Sequence, residues 1–275
     1  MNTAHISSTP ASCAVELIDS HCHLDMAPYR GEITQVLAHA AHCGVKKVVT
    51  VGINHASSLA AIEIAQQHRG VYATIGFHPH EANAVTDASL AALAKLANND
   101  TVVAYGEIGL DYAKKYAEPK VQQRAFSRQL ELAITLDLPV IIHDRDAHAD
   151  TIALIKQGGT LPQGGVMHCY SGDRAFAEEM IALGFLLSIP GIVTFKNATL
   201  MHEVVRAIDL NHLMLESDGP FLAPNPYRGK RNQPAYLVHT AQKVAELKKT
   251  SIQEVARHTT ANTQRLFRLN DSDKS

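Results

Sequence analysis

The stretch IDSHCHLD, residues 18–25, follows the first apolar run of the chain and places two histidines, one residue apart, between two aspartates. Alternate side chains of a strand share one face, so Asp19, His21, His23 and Asp25 would point to the same side. Imidazole and carboxylate groups are common metal ligands. The stretch therefore predicts part of a metal site at the end of the first strand, with the remaining ligands supplied from elsewhere.

Short apolar runs rich in β-branched residues recur along the chain, with longer helical patterns between them. The eight runs are residues 15–19, 46–52, 71–77, 101–106, 138–142, 164–167, 184–189 and 212–216. The helical patterns are residues 33–43, 57–68, 88–98, 120–136, 173–183 and 198–208. An eightfold barrel of about 250 residues allots roughly 31 to each βα unit, and the observed spacing fits one unit per run. The pattern predicts an α/β fold, a (β/α)8 TIM barrel, with an open doubly wound sheet as the alternative.

Length and composition favour a single domain. The chain has 275 residues, of which 46% are apolar, and this is enough to bury a sizeable core. No linker or change of composition divides residues 16–275, which we assign to one domain. Residues 1–15, rich in serine, threonine and alanine, are predicted to be a flexible tail.

Charge and cysteine content restrict the partners and the compartment. The formal net charge is −2, so any contact with nucleic acid requires a local basic patch. Four cysteines without a CxxC pair are typical of a reducing compartment. The sequence has no signal-peptide pattern and no apolar run of about 20 residues. We therefore expect a cytoplasmic protein without a membrane segment, monomeric by default.

The residues that close the predicted strands are chemically unusual. After HCH, the closing stretches read GFHPH, YGEIGLD, IIHDRD, MHCY and LESDGP. In a (β/α)8 barrel these ends meet on one face, where active sites are built. Beside His21 and His23, the candidate ligands are therefore Glu107, His143, His168 and Asp218. Each alone would more often be a structural residue, but metal-binding side chains at five separate strand ends favour a metal site.

The types of ligand indicate the metal and the chemistry. Imidazole and carboxylate without thiolate suit Mg, Mn, Zn, Ni or Co, and the two oxygens of Glu107 could bridge two ions. Two ions about 3.5–4 Å apart stabilise the attacking and leaving oxygens of a displacement, which predicts hydrolysis. Asp218 is the candidate general base for the attacking water. Strand alternation predicts that Cys22 and Cys169 point away from the site and are buried.

Two further stretches could contact substrate. His78 and His80 lie at the third strand end, where they could bind a phosphate or leaving group or make structural hydrogen bonds. Cations predicted on the same face are Arg145, Arg228, Lys230 and Arg231. They are candidates for phosphate binding, although a basic loop is often only solvated.

Ordered motifs from about residue 17 to 269 resemble the TatD family of metal-dependent deoxyribonucleases, within the amidohydrolase-like barrels. They read DSHCHLD, GFHPHE, GEIGLDY, HDRDA, HCYSGD, SIPGIVTFKNA, ESDGPFLAPNPYRGKRNQPAY and ANTQRLF. The departures from the family pattern are small and remove no ligand. They are Ala113, Tyr170, Ser217 and Gly219.

The resemblance implies a metal-dependent hydrolase barrel with two divalent ions, for which we expect Mg, with Mn, Zn, Ni or Co as alternatives. The residues implied for the first ion are His21, His23, Glu107 and Asp218. The residues implied for the second ion are Glu107, His143 and His168. The implied catalytic residues are Asp218 and Glu107, and the implied reaction is 3′-5′ exonuclease cleavage of single-stranded DNA, with RNA as a possible partner.

Two other functions stay open, because the motifs locate metal and water but hardly specify the bond that is cleaved. One is hydrolysis of another bond, such as an amide or the ester of a D-aminoacyl-tRNA. The other is a binding protein without catalysis, in which the metal only stabilises the barrel.

Overall fold

The computed structural model describes residues 15–269, and within that range eight parallel strands alternate with helices. The strands are β1 (Leu17–Cys22), β2 (Val45–Thr50), β3 (Val71–Ile75), β4 (Val102–Asp111), β5 (Val140–Arg145), β6 (Gly165–Met167), β7 (Phe185–Ile189) and β8 (Leu213–Leu215). Each strand pairs in parallel with the next one in the chain. The predicted α/β alternation is confirmed.

Backbone contacts between the end of β1 and the segment after β8 nearly close the sheet into a barrel. Cys22 forms a parallel bridge with Gly219. The amide of Asp218 donates to the carbonyl of His21 at 2.9 Å, and the amide of His23 donates to that of Gly219 at 2.8 Å. This confirms the (β/α)8 barrel over the open sheet, and it brings the segment after β8 beside both histidines of the opening stretch.

Nine α-helices lie within the described range. They are α1 (Ile33–His42), α2 (His55–Gln67), α3 (Asp87–Leu96), α4 (Pro119–Thr135), α5 (His148–Gly158), α6 (Arg174–Ala182), α7 (Thr199–Ala207), α8 (Leu237–Lys248) and α9 (Ile252–Phe267). None of these helices is long and apolar enough to cross a membrane. The helical patterns named in the sequence correspond to α1 to α4, α6 and α7, and α5, α8 and α9 are further helices of the predicted βα alternation.

Helix α9 buries polar as well as apolar side chains. Its buried face includes Thr259, Asn262 and Thr263. Each threonine hydroxyl donates to the carbonyl four residues earlier, and the Asn262 side chain donates to the carbonyls of Leu210 and Leu213 at 2.8 Å. Polar side chains that find hydrogen bonds can be buried at low cost, and here they share the buried face with Val255, Ala256 and Phe267.

One buried cluster takes a residue from every strand, which places it inside the barrel. It contains Ile18, Val49, Tyr72, Ala104, Ile141, Val166, Leu186 and Met214. Phe267 and Leu269, at and after the end of α9, pack into the same cluster. These residues fill the barrel below the strand ends that carry the candidate ligands.

The predicted tail lies outside the described residues except for Val15, which is buried in the main core. The backbone amide of Leu17 donates to the carbonyl of Gly44 at 2.9 Å. The single-domain assignment of residues 16–275 stays a prediction.

Gly109 shows how closely β4 and β5 approach beside the site. Its φ is +140°, and a Cβ built there would lie 2.0 Å from the carbonyl oxygen of His143. Only glycine fits this contact, which sets the spacing between Glu107 on β4 and His143 on β5.

Candidate metal centre

Glu107 lies at the centre of the candidate site, and its two carboxylate oxygens face two groups of donor atoms. On the Oε2 side, the Nε2 atoms of His21 and His23 lie 3.3 Å apart. They lie 3.4 and 3.8 Å from Glu107 Oε2, and 4.0 and 3.5 Å from Asp218 Oδ1. Ligands around a four-coordinate ion with bonds of about 2.1 Å lie about 3.4 Å apart, so this spacing fits a metal.

The Oε1 side of Glu107 faces three further imidazoles. Oε1 lies 2.7 Å from Nδ1 of His143, 3.4 Å from Nε2 of His168 and 3.5 Å from Nε2 of His78. The sequence implied the first two as ligands and assigned His78 to substrate. The structure also groups His78 with Glu107 and His143 as a potential ligand set. His78 therefore lies in the donor cluster itself.

The crowding of imidazoles around Glu107 also favours a bound cation. Five imidazoles surround one buried carboxylate, and a neutral imidazole has only one N–H to donate. Nε2 of His21 and Nε2 of His23 lie 3.3 Å apart, and both face the carboxylates of Glu107 and Asp218. A divalent ion would accept a lone pair from each of these two nitrogens and would offset the two carboxylate charges, so the residues present fit a metal.

The protonation preferred by each metal-free group follows from its neighbours. Burial raises the pKa of Glu107, but the surrounding histidines hold it well below its usual range. Burial also raises the pKa of Asp218, and contacts with His23, His168 and His21 lower it further than burial raises it. Both carboxylates are therefore ionised at neutral pH. Burial lowers the pKa of His78 to about 3, so its imidazole is neutral.

Glu216, which the sequence did not indicate as a site residue, contacts Nδ1 of His168, on the side of the ring away from Glu107. Its carboxylate is fully buried, and Oε1 lies 3.1 Å from Nδ1 of His168 and accepts the amide of Cys169 at 2.8 Å. Burial lowers the pKa of His168, but Glu216 and Glu107 raise it to about 10. With Nδ1 turned to Glu216, Nε2 of His168 faces Glu107 as a ligand should.

Asp111 supports the histidines on the other side of β4. Its Oδ2 lies 2.8 Å from Nε2 of His80 and 3.4 Å from Nε2 of His143. Burial raises the pKa of Asp111, but hydrogen bonds with these two histidines hold it below its usual range. His80, predicted to contact substrate, is thus held by a carboxylate at the rim of the site.

The two aspartates of the opening stretch make structural hydrogen bonds. Asp19 is fully buried and accepts the amide of Ser217 at 2.8 Å and its hydroxyl at 2.6 Å. Burial raises the pKa of Asp19 to about 7, although the bonds from Ser217 lower it. Asp25 accepts the hydroxyl of Ser57 at 2.7 Å. Asp19 therefore ties β1 to the residue before Asp218.

Cys22 and Cys169 each follow a candidate ligand, but they differ in whether the thiol faces the site. Cys22 is buried and donates to the carbonyl of Gly219 at 3.4 Å, as expected for a residue that faces away. The prediction for Cys169 was wrong, because it forms a potential ligand group with His168 and Asp218. Cys169 lies after the end of β6 and has a φ of +45°, so strand alternation does not set its direction.

Two cavities open over the donor cluster. One, of about 210 Å³, is lined by His78, His80 and Glu107 among others, and the second, of about 410 Å³, extends past Arg145. His143, His168, Asp218 and Phe221 line both. Arg145 is exposed and, among the described residues, makes no side-chain hydrogen bond or ion pair. It is the predicted cation that the structure places at the site.

The three cations of the predicted loop have other contacts. Arg231 donates to the carbonyl of Pro28 and lies 2.8 Å from Glu32. The guanidinium of Arg228 lies 4.5 Å from the Phe195 ring centroid, and the ammonium of Lys230 lies 6.0 Å from that of Tyr227. None of the three cations lines either cavity. Their role in phosphate binding stays a prediction.

Asp111 and Glu216 lie in the motifs GEIGLDY and ESDGP, at even spacing from a candidate ligand. Asp111 lies four residues after Glu107 on β4, and Glu216 lies two residues before Asp218. Even spacing along an extended segment places side chains on one face. Nothing in the pattern, however, indicates which carboxylate would bind a metal and which would support a histidine.

Comparisons with known proteins agree with this site. The family model described as TatD related DNase matches residues 18–268. The Bacillus subtilis protein named uncharacterized metal-dependent hydrolase YabD is 40% identical over 254 residues, covering 92% of this chain and 100% of that protein. The Klebsiella pneumoniae protein named 3′-5′ ssDNA/RNA exonuclease TatD is 34% identical over 256 residues, covering 91% and 97%. The crystal structure of the Escherichia coli TatD homologue YjjV has a TM-score of 0.88 at 32% identity, covering 92% and 98%.

Proposed function

This chain belongs to the TatD-related DNase family, and from that premise we propose that it is a divalent-metal-dependent hydrolase that shortens single-stranded nucleic acid from the 3′ end. The single observation that carries the proposal is the arrangement of five histidines around the buried carboxylate of Glu107. The name of the Klebsiella relative supports nucleic acid as the substrate.

The donor atoms divide into two ion sites that share Glu107. His21, His23 and Asp218 would hold one ion with Oε2 of Glu107. His143 and His168 would hold the other with Oε1, and His78 is close enough to join them. We expect Mg first, with Mn, Zn, Ni or Co as alternatives, since all accept imidazole and carboxylate ligands.

Bound divalent ions supply Lewis-acid stabilisation of phosphoryl oxygens and lower the pKa of water. Asp218 is ionised and its side chain is 10% exposed at the cavity, so it can accept a proton from an attacking water. Its φ of +55° and the hydrogen bond from its amide to His21 fix its direction.

Other side chains could hold the substrate. Arg145 is a free cation at the larger cavity and could pair with a phosphate through two N–H groups. Phe221 is 48% exposed and its ring centroid lies 5.9 Å from that of His23, where it could pack against a terminal base.

The experiment compares substrates on chelator-stripped protein that is reloaded with a single divalent metal. Single-stranded DNA and RNA of one sequence, each labelled at the 5′ end, and a D-aminoacyl-tRNA are incubated with the wild type and with Asp218→Asn. We expect ladders that shorten by one nucleotide at a time, and a rate at least 100-fold lower in Asp218→Asn. Absence of shortening above that variant would refute nuclease function, and release of the amino acid alone would favour the deacylase alternative.

A further inference from the structure

Tyr116 is an exposed aromatic residue next to the metal centre. It is 65% exposed, yet its ring centroid lies 4.4 Å from that of His80, with the planes tilted by 43°. His80 lines the cavity over Glu107. A single exposed aromatic residue is common on protein surfaces, but this one contacts a residue of the candidate site and leaves most of its ring open to solvent.

The loop that carries Tyr116 is fixed at both ends. Before it, Asp111 accepts the amide of Lys114 at 2.9 Å. After it, the side chain of Gln122 donates to the carbonyls of Ala117 and Asp111, both at 2.9 Å. Ala117 is 6% exposed and packs with α4. These bonds hold the tyrosine in one place beside the cavity.

The same segment is the basic patch that an acidic chain would need in order to contact nucleic acid. Residues 112–124 contain four cations and one acid, in a chain with a formal net charge of −2. The cations are Lys114, Lys115, Lys120 and Arg124, and all four are exposed. Within residues 15–269, none of the four forms an ion pair. Their charge is therefore available to an anionic partner.

A separate groove lies along α4, and it shares no lining residue with the cavity over Glu107. The 3₁₀ helix Pro79–Ala84, which carries His80, forms one wall of this groove, and α4 forms the other. The groove has a volume of about 350 Å³ and is lined by Arg124 and Arg128 among others. Arg128 is already paired with Asp87, whereas Arg124 is not paired within the described range.

We propose that Tyr116, Lys114, Lys115 and Arg124 form a binding path for a single-stranded polynucleotide whose end lies in the metal centre. A base stacks on the open face of Tyr116, and the phosphates on either side contact the two lysines and Arg124. An aromatic ring flanked by cations binds single strands with little sequence preference, which suits an enzyme that shortens ends of any sequence. The inference rests on the proposed function and extends it to the nucleotides upstream of the cleaved bond.

The test measures binding of metal-loaded protein to a fluorescent ten-nucleotide single strand, in the Asp218→Asn background so that cleavage does not interfere. We expect Tyr116→Ala to weaken binding at least about fivefold and Tyr116→Phe to bind like the parent. Lys114→Gln with Lys115→Gln should reduce the slope of log affinity against log salt by about 1.4. The matched control is Lys46→Gln with Lys95→Gln, two exposed lysines at the opposite end of the barrel, which should leave the slope unchanged.

A length series separates a binding path from a structural role. The ratio of KM in Tyr116→Ala to KM in the wild type should rise from a dinucleotide to a ten-nucleotide strand, and a packing defect would shift all lengths equally. Equal binding by Tyr116→Ala and its parent, or an equal loss in the lysine control, would overturn the inference. If the wild type cleaves no strand while these binding differences hold, the proposed function fails and the path stands. If the wild type cleaves strands while Tyr116→Ala binds like its parent, the proposed function stands and the binding path fails.

Discussion

The buried carboxylate of Glu216 lies 3.1 Å from Nδ1 of His168, on the side of the ring opposite to Glu107. Glu216 also accepts the amide of Cys169, so its position is fixed by backbone as well as side chain. A carboxylate in this position selects the tautomer of a histidine ligand and increases its basicity. Glu216 also belongs to a potential ligand group with His21 and His168, and its contact with Nδ1 makes it the residue that orients His168.

Glu216→Gln tests that role. The amide keeps the size of the side chain but removes the charge that faces His168, so we expect metal affinity to fall about 10- to 100-fold. Competition with a chromophoric chelator measures the affinity, and far-ultraviolet circular dichroism checks the fold. Glu246 forms an exposed ion pair with Lys243 on α8. Glu246→Gln is therefore the control and should leave metal affinity unchanged. Unchanged affinity in a folded Glu216→Gln protein would contradict the assignment.

Metal binding should release protons and strengthen as pH rises. A protonated imidazole cannot bind a metal. Burial lowers the pKa of His168 in the metal-free protein, but Glu216 and Glu107 raise it to about 10. At pH 7 to 8 the ion must therefore displace a proton from this site. Calorimetric titration in buffers of different ionisation enthalpy counts the protons released. An enthalpy that does not depend on the buffer would contradict this prediction.

Asn232 is expected to stabilise the segment that carries Asp218. Its side-chain amide donates to the carbonyls of Ser217 and Phe221, both at 2.6 Å, and it is fully buried. Asn232→Ala leaves two carbonyl groups without this donor, which costs about 2 kcal/mol or more of unfolding free energy. Activity should also fall, because Ser217 precedes Asp218.

Arg231→Ala, one residue away, provides the comparison for Asn232→Ala. Its ion pair with Glu32 is exposed, and such pairs contribute less than about 1 kcal/mol. Urea denaturation of both variants measures the difference. Equal losses of stability would show that Asn232 does not anchor the segment.

Gly109→Ala should prevent normal folding of the barrel. The new Cβ would meet the carbonyl oxygen of His143, and the φ of +140° is unfavourable for any other residue. We expect a loss of more than about 3 kcal/mol or no soluble protein. Gly158→Ala, at the end of α5, meets only a methyl carbon of Leu130 at 3.9 Å and should be tolerated. A stable, active Gly109→Ala protein would contradict the close contact between β4 and β5.

The sequence was sufficient for the barrel and for the strands that meet at the site, but β4 continues four residues beyond Glu107, to Asp111, where the sequence predicted a strand end at Glu107. Apolar runs at regular spacing predicted the strands, and parallel strands must present their ends together. Helix α9 was not among the predicted helices, although Val255, Ala256 and Phe267 follow the helical period on its buried face. Cys169 was misplaced because its left-handed backbone conformation is not visible in the pattern.

The sequence also could not predict which polar residues contact Glu107 and which support a neighbouring histidine. His78, Asp111 and Glu216 have the same side chains as a ligand would have, and only distances show which of them touches Glu107. Arg231 and Arg145 are both cations in quoted motifs. Arg231 is held by the carboxylate of Glu32 and the carbonyl of Pro28, whereas Arg145 lines the larger cavity.

A crystal structure of the wild type soaked with Mn²⁺ and a deoxynucleoside monophosphate would show whether Glu107 and its histidines bind a metal that contacts the substrate phosphate. We predict anomalous density for an ion between Glu107, His21 and His23, and a phosphate oxygen in contact with it at about 2.0–2.3 Å. A phosphate bound away from Glu107, or no anomalous density beside that carboxylate, would contradict the account.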